Sequence, residues 1–212
     1  MNRTYGQLCG LALALDVVGD RWSLLIVREL LVQPAGARYT DLRDGLPGIA
    51  TNLLADRLRS LESAGILQRE EPRPPVATPV FRLTDRGRSL RPAVEALAIW
   101  GGELVPATSA AAQFRTRWLV IPVEAMLTDL RPTDPPASIT LRTGDEPLLV
   151  SVDQGVVRAT PGAPAARSDL VISGPAGPVL GMMAGKVPVA AATGAGIEIT
   201  GDRGVLERVG LR

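Results

Sequence analysis

Residues 38–67 read RYTDLRDGLPGIATNLLADRLRSLESAGIL, and the punctuation of this stretch decides the fold. Thr40 can cap a short helix that runs to Leu46 and is ended by Pro47 and Gly48. A second helix is expected from Ala50 to Ala64, with Gly65 as its terminal glycine. Projected at about 100° per residue, Leu53, Leu54, Leu58 and Leu61 share one arc, while Asn52, Asp56, Arg59 and Ser63 lie opposite. Two helices around a tight turn, the second with a dry back and a short polar front, are the elements of a helix-turn-helix.

The flanks extend this reading. Upstream, GDRWSLLIVRELLV (residues 19–32) places Trp22, Leu25, Ile26 and Leu30 on one helical face, with Asp20 as the expected N-cap and Pro34 as the stop. Downstream, Ile66 to Glu70 and Val80 to Leu83 read as short strands joined by a proline-rich loop from Pro72 to Pro79, which makes a wing. Thr84 and Asp85 then restart a helix that carries Leu90, Val94, Leu97, Ala98 and Trp100 through to Leu104.

The polar front carries the side chains that suit base reading, because Asn and Arg form paired hydrogen bonds with adenine and guanine edges in the major groove. Arg38, Arg43, Arg57, Arg69, Arg73 and Arg82 surround it as phosphate-contacting candidates, with Arg73 at the wing tip. An ordinary surface helix with a solvated polar face has the same periodicity. The helix order together with the wing favours the DNA-reading alternative.

Composition narrows the chemistry. The 212 residues carry 23 Lys+Arg against 22 Asp+Glu, a net charge of +1, so any DNA contact must come from a local patch. A histidine count of 0 removes the usual neutral-pH general base, the Ser/His/Asp triad and every zinc site that needs imidazole. The one cysteine, Cys9, cannot form an intrachain disulfide, which points to a cytoplasmic chain. The apolar run from Leu11 to Val18 is broken by Asp16 and falls short of the roughly 20 residues of a membrane helix. No enzyme, cofactor, metal site or membrane partner is expected.

A small-residue stretch, Ala107 to Gln113, separates a second part of different texture. Ser138 to Arg142, Leu148 to Asp153, Val156 to Ala159, Asp169 to Ser173 and Ile197 to Thr200 read as strands of an antiparallel sheet. Helices are expected at Thr116 to Leu130, Gly177 to Ala184 and Asp202 to Val209, which completes an α+β domain. The run from Gly181 to Lys186 is too short in glycine spacing for a phosphate loop and has Val187 where Ser or Thr must meet magnesium. Gly194-Ala195-Gly196 lacks the strand-to-helix setting of a dinucleotide site.

DVVGDRWSLLIVREL (residues 16–30), the stretch quoted at the outset and FRLTDRG (residues 81–87) resemble the HxlR-type winged helix-turn-helix transcriptional regulators. The resemblance covers about the first hundred residues. It implies a homodimer joined by its outer helices, bound to double-stranded DNA at an inverted-repeat operator. Carried over by position, Thr51, Asn52, Ala55, Asp56 and Arg59 read bases and Arg69 to Arg82 supply the wing. The chain departs from the family at Ala50, where Ser often caps the reading helix, and Thr51 is the alternative cap. Cys9 falls where family members commonly carry a cysteine, with Gly10 in place of the usual proline. As a neighbour of Leu8 and Leu11 it also reads as a small buried hydrophobe.

ITLRTGDEPLLVSVDQGVV (residues 139–157) and SDLVISGPAGPVLGMMAGKVPVAAATGAGIEITGD (residues 168–202) resemble the sterol carrier protein type 2 fold. That resemblance implies helices laid on a sheet around an apolar tunnel, with Trp118, Ile121, Met126, Leu127, Leu180, Met182 and Met183 as the lining. Core packing is the competing role for each of these side chains. The expected organisation is a DNA-binding and dimerisation domain at 1–106 and a small lipid-carrier-like, ligand-binding domain at 114–212. The expected function is a dimeric transcriptional regulator responsive to a hydrophobic small molecule. The alternative is a thiol-based sensor of oxidants or electrophiles acting through Cys9, with the second domain only structural.

Overall fold

A computed structural model describes residues 4–71, 78–104, 113–162 and 167–211. The chain divides into two compact units, Met1–Val94 and Glu95–Arg212, and the division falls inside a helix.

The first unit contains helices α1 (Gly10–Val18), α2 (Ser23–Leu31), α3 (Tyr39–Gly45), α4 (Thr51–Ser63) and α5 (Asp85–Arg88), and α6 (Arg91–Gly102) begins in it. Its sheet has the order β1-β3-β2, with β1 Ala37–Arg38, β2 Leu67–Glu70 and β3 Val80–Leu83, antiparallel throughout. The core is aliphatic. Ile26, Leu42, Leu54, Leu61 and Leu67 are all buried, and each such side chain contributes roughly 1.5–3 kcal/mol by leaving water.

Local chemistry explains the element ends. At the C-terminus of α4, Gly65 takes φ +68°, its N–H bonds the Glu62 carbonyl at 2.9 Å, and the Ile66 N–H bonds the Leu61 carbonyl at 2.9 Å. This paired closure satisfies carbonyls that the helix leaves open and needs a left-handed residue at its glycine. At α5 the Thr84 hydroxyl accepts from the Gly87 N–H at 3.1 Å. A side chain at Gly87 would run into the Ile66 carbonyl oxygen, so the glycine of FRLTDRG lets this helix lie against the wing.

Several sequence expectations need correction here. Asp20 does not cap α2: its carboxylate pairs with Arg57, and the helix starts at Ser23 after Trp22, which adopts φ +83°. Leu25 is exposed rather than part of the buried face. Thr40 lies within α3, and Asp41 accepts the Arg38 N–H at 2.9 Å to close the helix start. Thr51 is likewise a helical residue, with Ala50 at the cap position and no capping side chain. The helix expected from Thr84 to Leu104 is two helices, because Pro92 has no N–H to give the Arg88 carbonyl. The short strand β1, pairing Ala37 with Phe81 and Arg38 with Val80, was not expected.

The second unit is a five-stranded sheet of order β6-β5-β4-β7-β8. Its strands are β4 Ala137–Thr143, β5 Glu146–Asp153, β6 Val156–Pro161, β7 Leu170–Ser173 and β8 Glu198–Gly201. All five expected strands are present, but the sheet is not wholly antiparallel, since β4 and β7 run parallel. The consecutive residues Ile139, Thr140 and Leu141 of β4 are all buried, so both faces of this strand are covered, which fits its place at the centre of the sheet. With β5 on one side, β7 enters from the end at which β4 starts.

Helices α7 (Val120–Met126), α8 (Ala176–Met183) and α9 (Gly204–Arg208) complete the unit. The helix expected over Thr116 to Leu130 is a 3-10 turn, Thr116–Leu119, followed by α7. Pro122 cannot donate to the Trp118 carbonyl, which forbids a continuous α-helix there. The stretch ends early because Leu127 is extended and Leu130 donates its N–H to the Arg208 carbonyl at 2.9 Å. Gly201 takes φ +104°, and a Cβ there would meet the Asp169 carbonyl oxygen, which explains the glycine of the IEITGD stretch.

Candidate nucleic-acid interface

The reading-helix candidate is α4, and its orientation follows from its own periodicity. Leu54, Leu58 and Leu61 are buried behind it, while Thr51, Asn52, Asp56, Arg59 and Ser63 are exposed in front. Leu53 and Ala55 are half-buried at the edges. The turn before α4 is held from α3. Gly48 takes φ +87°, the Ile49 N–H bonds the Leu46 carbonyl at 3.1 Å, and the Tyr39 hydroxyl donates to the Thr51 carbonyl at 2.7 Å. Arg28 of α2 bonds the Gly45 carbonyl at 3.3 Å and Glu29 at 2.7 Å. The front is thus presented by a frame with few free torsions, which lowers the entropy lost on docking.

The front is nearly neutral. Arg59 pairs with Asp56 three residues earlier, with its side chain 75% exposed. An exposed pair of this kind is worth little and opens at little cost to meet a phosphate or a base. The two residues border a concavity of about 460 Å³ with Ser60, Ser63 and Ala64. Asn52 turns its carboxamide oxygen onto the Leu53 N–H at 2.9 Å, a local bond that releases readily.

The surrounding arginines are disposed differently from one another. Arg38 and Arg43 are exposed at the two ends of α3, Arg43 beside Asp44 at 3.5 Å. On the wing, Arg69 lies against Glu71 at 3.0 Å and Arg82 against Glu70 at 2.8 Å. Arg57 is drawn to Asp20 and is largely covered, so α4 brings Arg59 to its front and Arg57 to its flank. Arg73 lies outside the described residues.

In the second unit, Met126, Leu127, Met182 and Met183 come together around one cavity of about 210 Å³. Residues 209–211, beyond α9, form part of its wall and were not anticipated, because nothing in their local pattern marks them as lining. Trp118, Ile121 and Leu180 lie elsewhere. Ile121 is buried, and Trp118 stands edge-on to Phe114 with ring centres 6.4 Å apart.

Sequence reasoning also missed an ion pair beside this cavity. Arg208 Nε and Nη2 meet the two oxygens of Asp129 at 2.8 and 3.0 Å, and both residues are buried. Asp129 also accepts the N–H groups of Gly155 at 3.0 Å and Arg131 at 3.1 Å. The bonds from Arg208, reinforced by these backbone donors, hold the carboxyl far below the usual carboxylate range.

Cys9 stands exposed at the N-terminus of α1. The backbone N–H groups of Ala12 and Leu11 face its sulfur and pull the thiol pKa below its ordinary value. Among the described residues no group of three or more metal-ligating side chains gathers, and no helix is long and apolar enough to cross a membrane.

A family model of HxlR-like helix-turn-helix proteins matches residues 17–109. An uncharacterized HTH-type transcriptional regulator of Synechocystis sp., sll1512, is 37% identical over 100 residues, which are 46% of this chain and 71% of the relative. YvaP of Bacillus subtilis, of the same description, is 32% identical over 93 residues, 43% of this chain and 83% of its own. Among solved structures, the redox regulator HypR in its reduced form is 28% identical and aligns with a TM-score of 0.42 over 45% of this chain and 92% of that one. Through the helix-turn-helix and wing that it shares with relatives spanned over more than two thirds of their length, the chain belongs to the HxlR-like helix-turn-helix family.

Proposed function

We propose that the chain is a dimeric, cytoplasmic transcriptional regulator without enzymatic activity, organised as a DNA-binding and dimerisation domain at 1–106 and a ligand-binding domain at 114–212. In each protomer α4 enters the major groove of double-stranded DNA at one half of an inverted-repeat operator. Thr51, Asn52, Ala55, Asp56 and Arg59 face the bases, and Arg38, Arg43, Arg69, Arg73 and Arg82 engage phosphates. The observation that carries this reading is the exposed polar front of α4 on a buried leucine back, beside a two-stranded wing. Membership in a family whose relatives are described as transcriptional regulators supports it.

The second unit is the effector domain in this reading. The succession β7, α8, β8 follows the order that led to the sterol carrier resemblance, and the cavity gathers four of the seven expected lining residues. A hydrophobic effector acts by preferring one separation of the two reading helices over another. A gel shift on the promoter of the protein's own gene, with salt titration, tests DNA binding. Specific retention that weakens with salt is expected, and retention no stronger than on random DNA overturns the reading.

The thiol-switch alternative draws on one observation, the exposed Cys9 thiol facing the first-turn N–H groups of α1. In that reading an oxidant or electrophile modifies Cys9 and alters DNA binding. Cys9→Ser abolishes an oxidant response and spares an effector response. An oxidant response that survives the substitution removes Cys9 as the sensor.

A further inference from the structure

The 210 Å³ cavity of the second unit is specific about what it can hold. It is walled where three helices end: by Met126 and Thr128 at the end of α7, by Met182 and Met183 in the last turn of α8, and by residues 209–211 after α9. Among the described residues no ionisable side chain lines it; of those next to lining residues in sequence, Asp129 and Arg208 are committed to one another, Arg208 also to the Pro135 carbonyl at 2.5 Å, and Lys186 is exposed and donates to the Gly102 carbonyl at 3.4 Å. A charged guest would lose its hydration without a partner, so the occupant is uncharged. Among the described residues Thr128 supplies the only side-chain hydroxyl of the lining, and it is exposed, so one polar end of the guest belongs at the mouth.

Size sharpens the assignment. Cavities of about 150 Å³ take up benzene, whereas pockets for drug-sized ligands begin near 300 Å³. A volume of about 210 Å³ therefore fits a single substituted ring more closely than a sterol or a long acyl chain. Three of the chain's 4 methionines, Met126, Met182 and Met183, line it. Thioethers adapt their torsions to irregular guests and make favourable contacts with aromatic edges.

Resting on the effector-domain reading above, we propose that this cavity binds an uncharged, single-ring aromatic compound with a short alkyl substituent and one hydroxyl, the hydroxyl meeting Thr128. The test uses the full chain labelled at the methionine methyl carbons and titrated with 4-propylphenol, propylbenzene, palmitate and cholesterol. Saturable shifts of the Met126, Met182 and Met183 methyl signals with 4-propylphenol, but not with palmitate or cholesterol, are the expected result. Thr128→Val is isosteric and is expected to weaken 4-propylphenol about fivefold while leaving propylbenzene unchanged, the effect of one hydrogen bond. Equal weakening of both compounds overturns the hydroxyl contact. If palmitate or cholesterol shifts these signals and 4-propylphenol does not, the effector-domain reading survives and the single-ring assignment falls. If none of the four binds, both fall together.

Discussion

At the residue scale, the arginines around α4 differ in what they are free to do. Arg59 is held by an exposed pair with Asp56 and a long bond to the Ala55 carbonyl at 3.4 Å, so exchanging that carboxylate for a base edge costs little. Arg59→Ala is expected to reduce discrimination between operator and random DNA by about 1–3 kcal/mol. Competition gel shifts check this, and unchanged discrimination would remove Arg59 from the reading face. Arg57 is committed to Asp20 and joins the α1–α2 turn to α4, a positioning role that periodicity did not reveal. Asp129 gives the second unit an acid dependence. Its carboxyl titrates below the value of about 3.9 for an unfolded aspartate. Its contribution is therefore complete above that value and is lost as the pH falls toward the folded pKa. Asp129→Asn is expected to lower Tm at pH 7 and to narrow the gap from wild type between about pH 5 and pH 2. A gap that stays constant over that range would show that Asp129 stabilises by packing alone.

At the scale of elements, α4 depends on its leucines for placement and on its glycine for ending. Leu54 is completely buried, and Leu54→Ala is expected to destabilise by about 3 kcal/mol, the removed surface plus a residual cavity. Chemical denaturation measures it, and a cost well below 1 kcal/mol would mean that the back of α4 is loosely packed. The helix pattern and its terminal glycine were legible in the sequence because both are local properties of the chain. The same locality explains the errors. Asp20 is a good cap residue by type, yet a partner 37 positions away takes its carboxylate. Apolar periodicity runs on through Pro92 and Pro122, yet each marks a change of element, because a proline has no N–H for the preceding turn.

At the scale of the whole molecule, much of the exposed apolar surface among the described residues lies on two helices and the segment before the first. Leu8, Leu11 and Leu13 in and before α1 are exposed, as are Leu97, Ile99 and Trp100 on α6. Such surface marks protein–protein contact sites, which accords with the proposed dimer. Trp100→Asp is expected to move the sedimenting species from twice the chain mass of 22.3 kDa to the single chain. Operator affinity should fall in parallel, because two half-sites are then no longer engaged together. A wild-type chain that sediments singly would overturn the dimer. What the amino-acid order determined by itself is the helix-turn-helix with its wing and the succession of strands and helices after it, since each is written in periods of two or 3.6 residues and in nearby Gly, Pro and capping groups. Tertiary structure alone decided the central place of β4 between an antiparallel and a parallel neighbour, the pairing of Asp129 with Arg208 across 79 positions, and the closure of three helix ends around one cavity. Those features rest on contacts between distant segments, whose chain-closure entropy is repaid only once the sheet and its buried side chains are assembled.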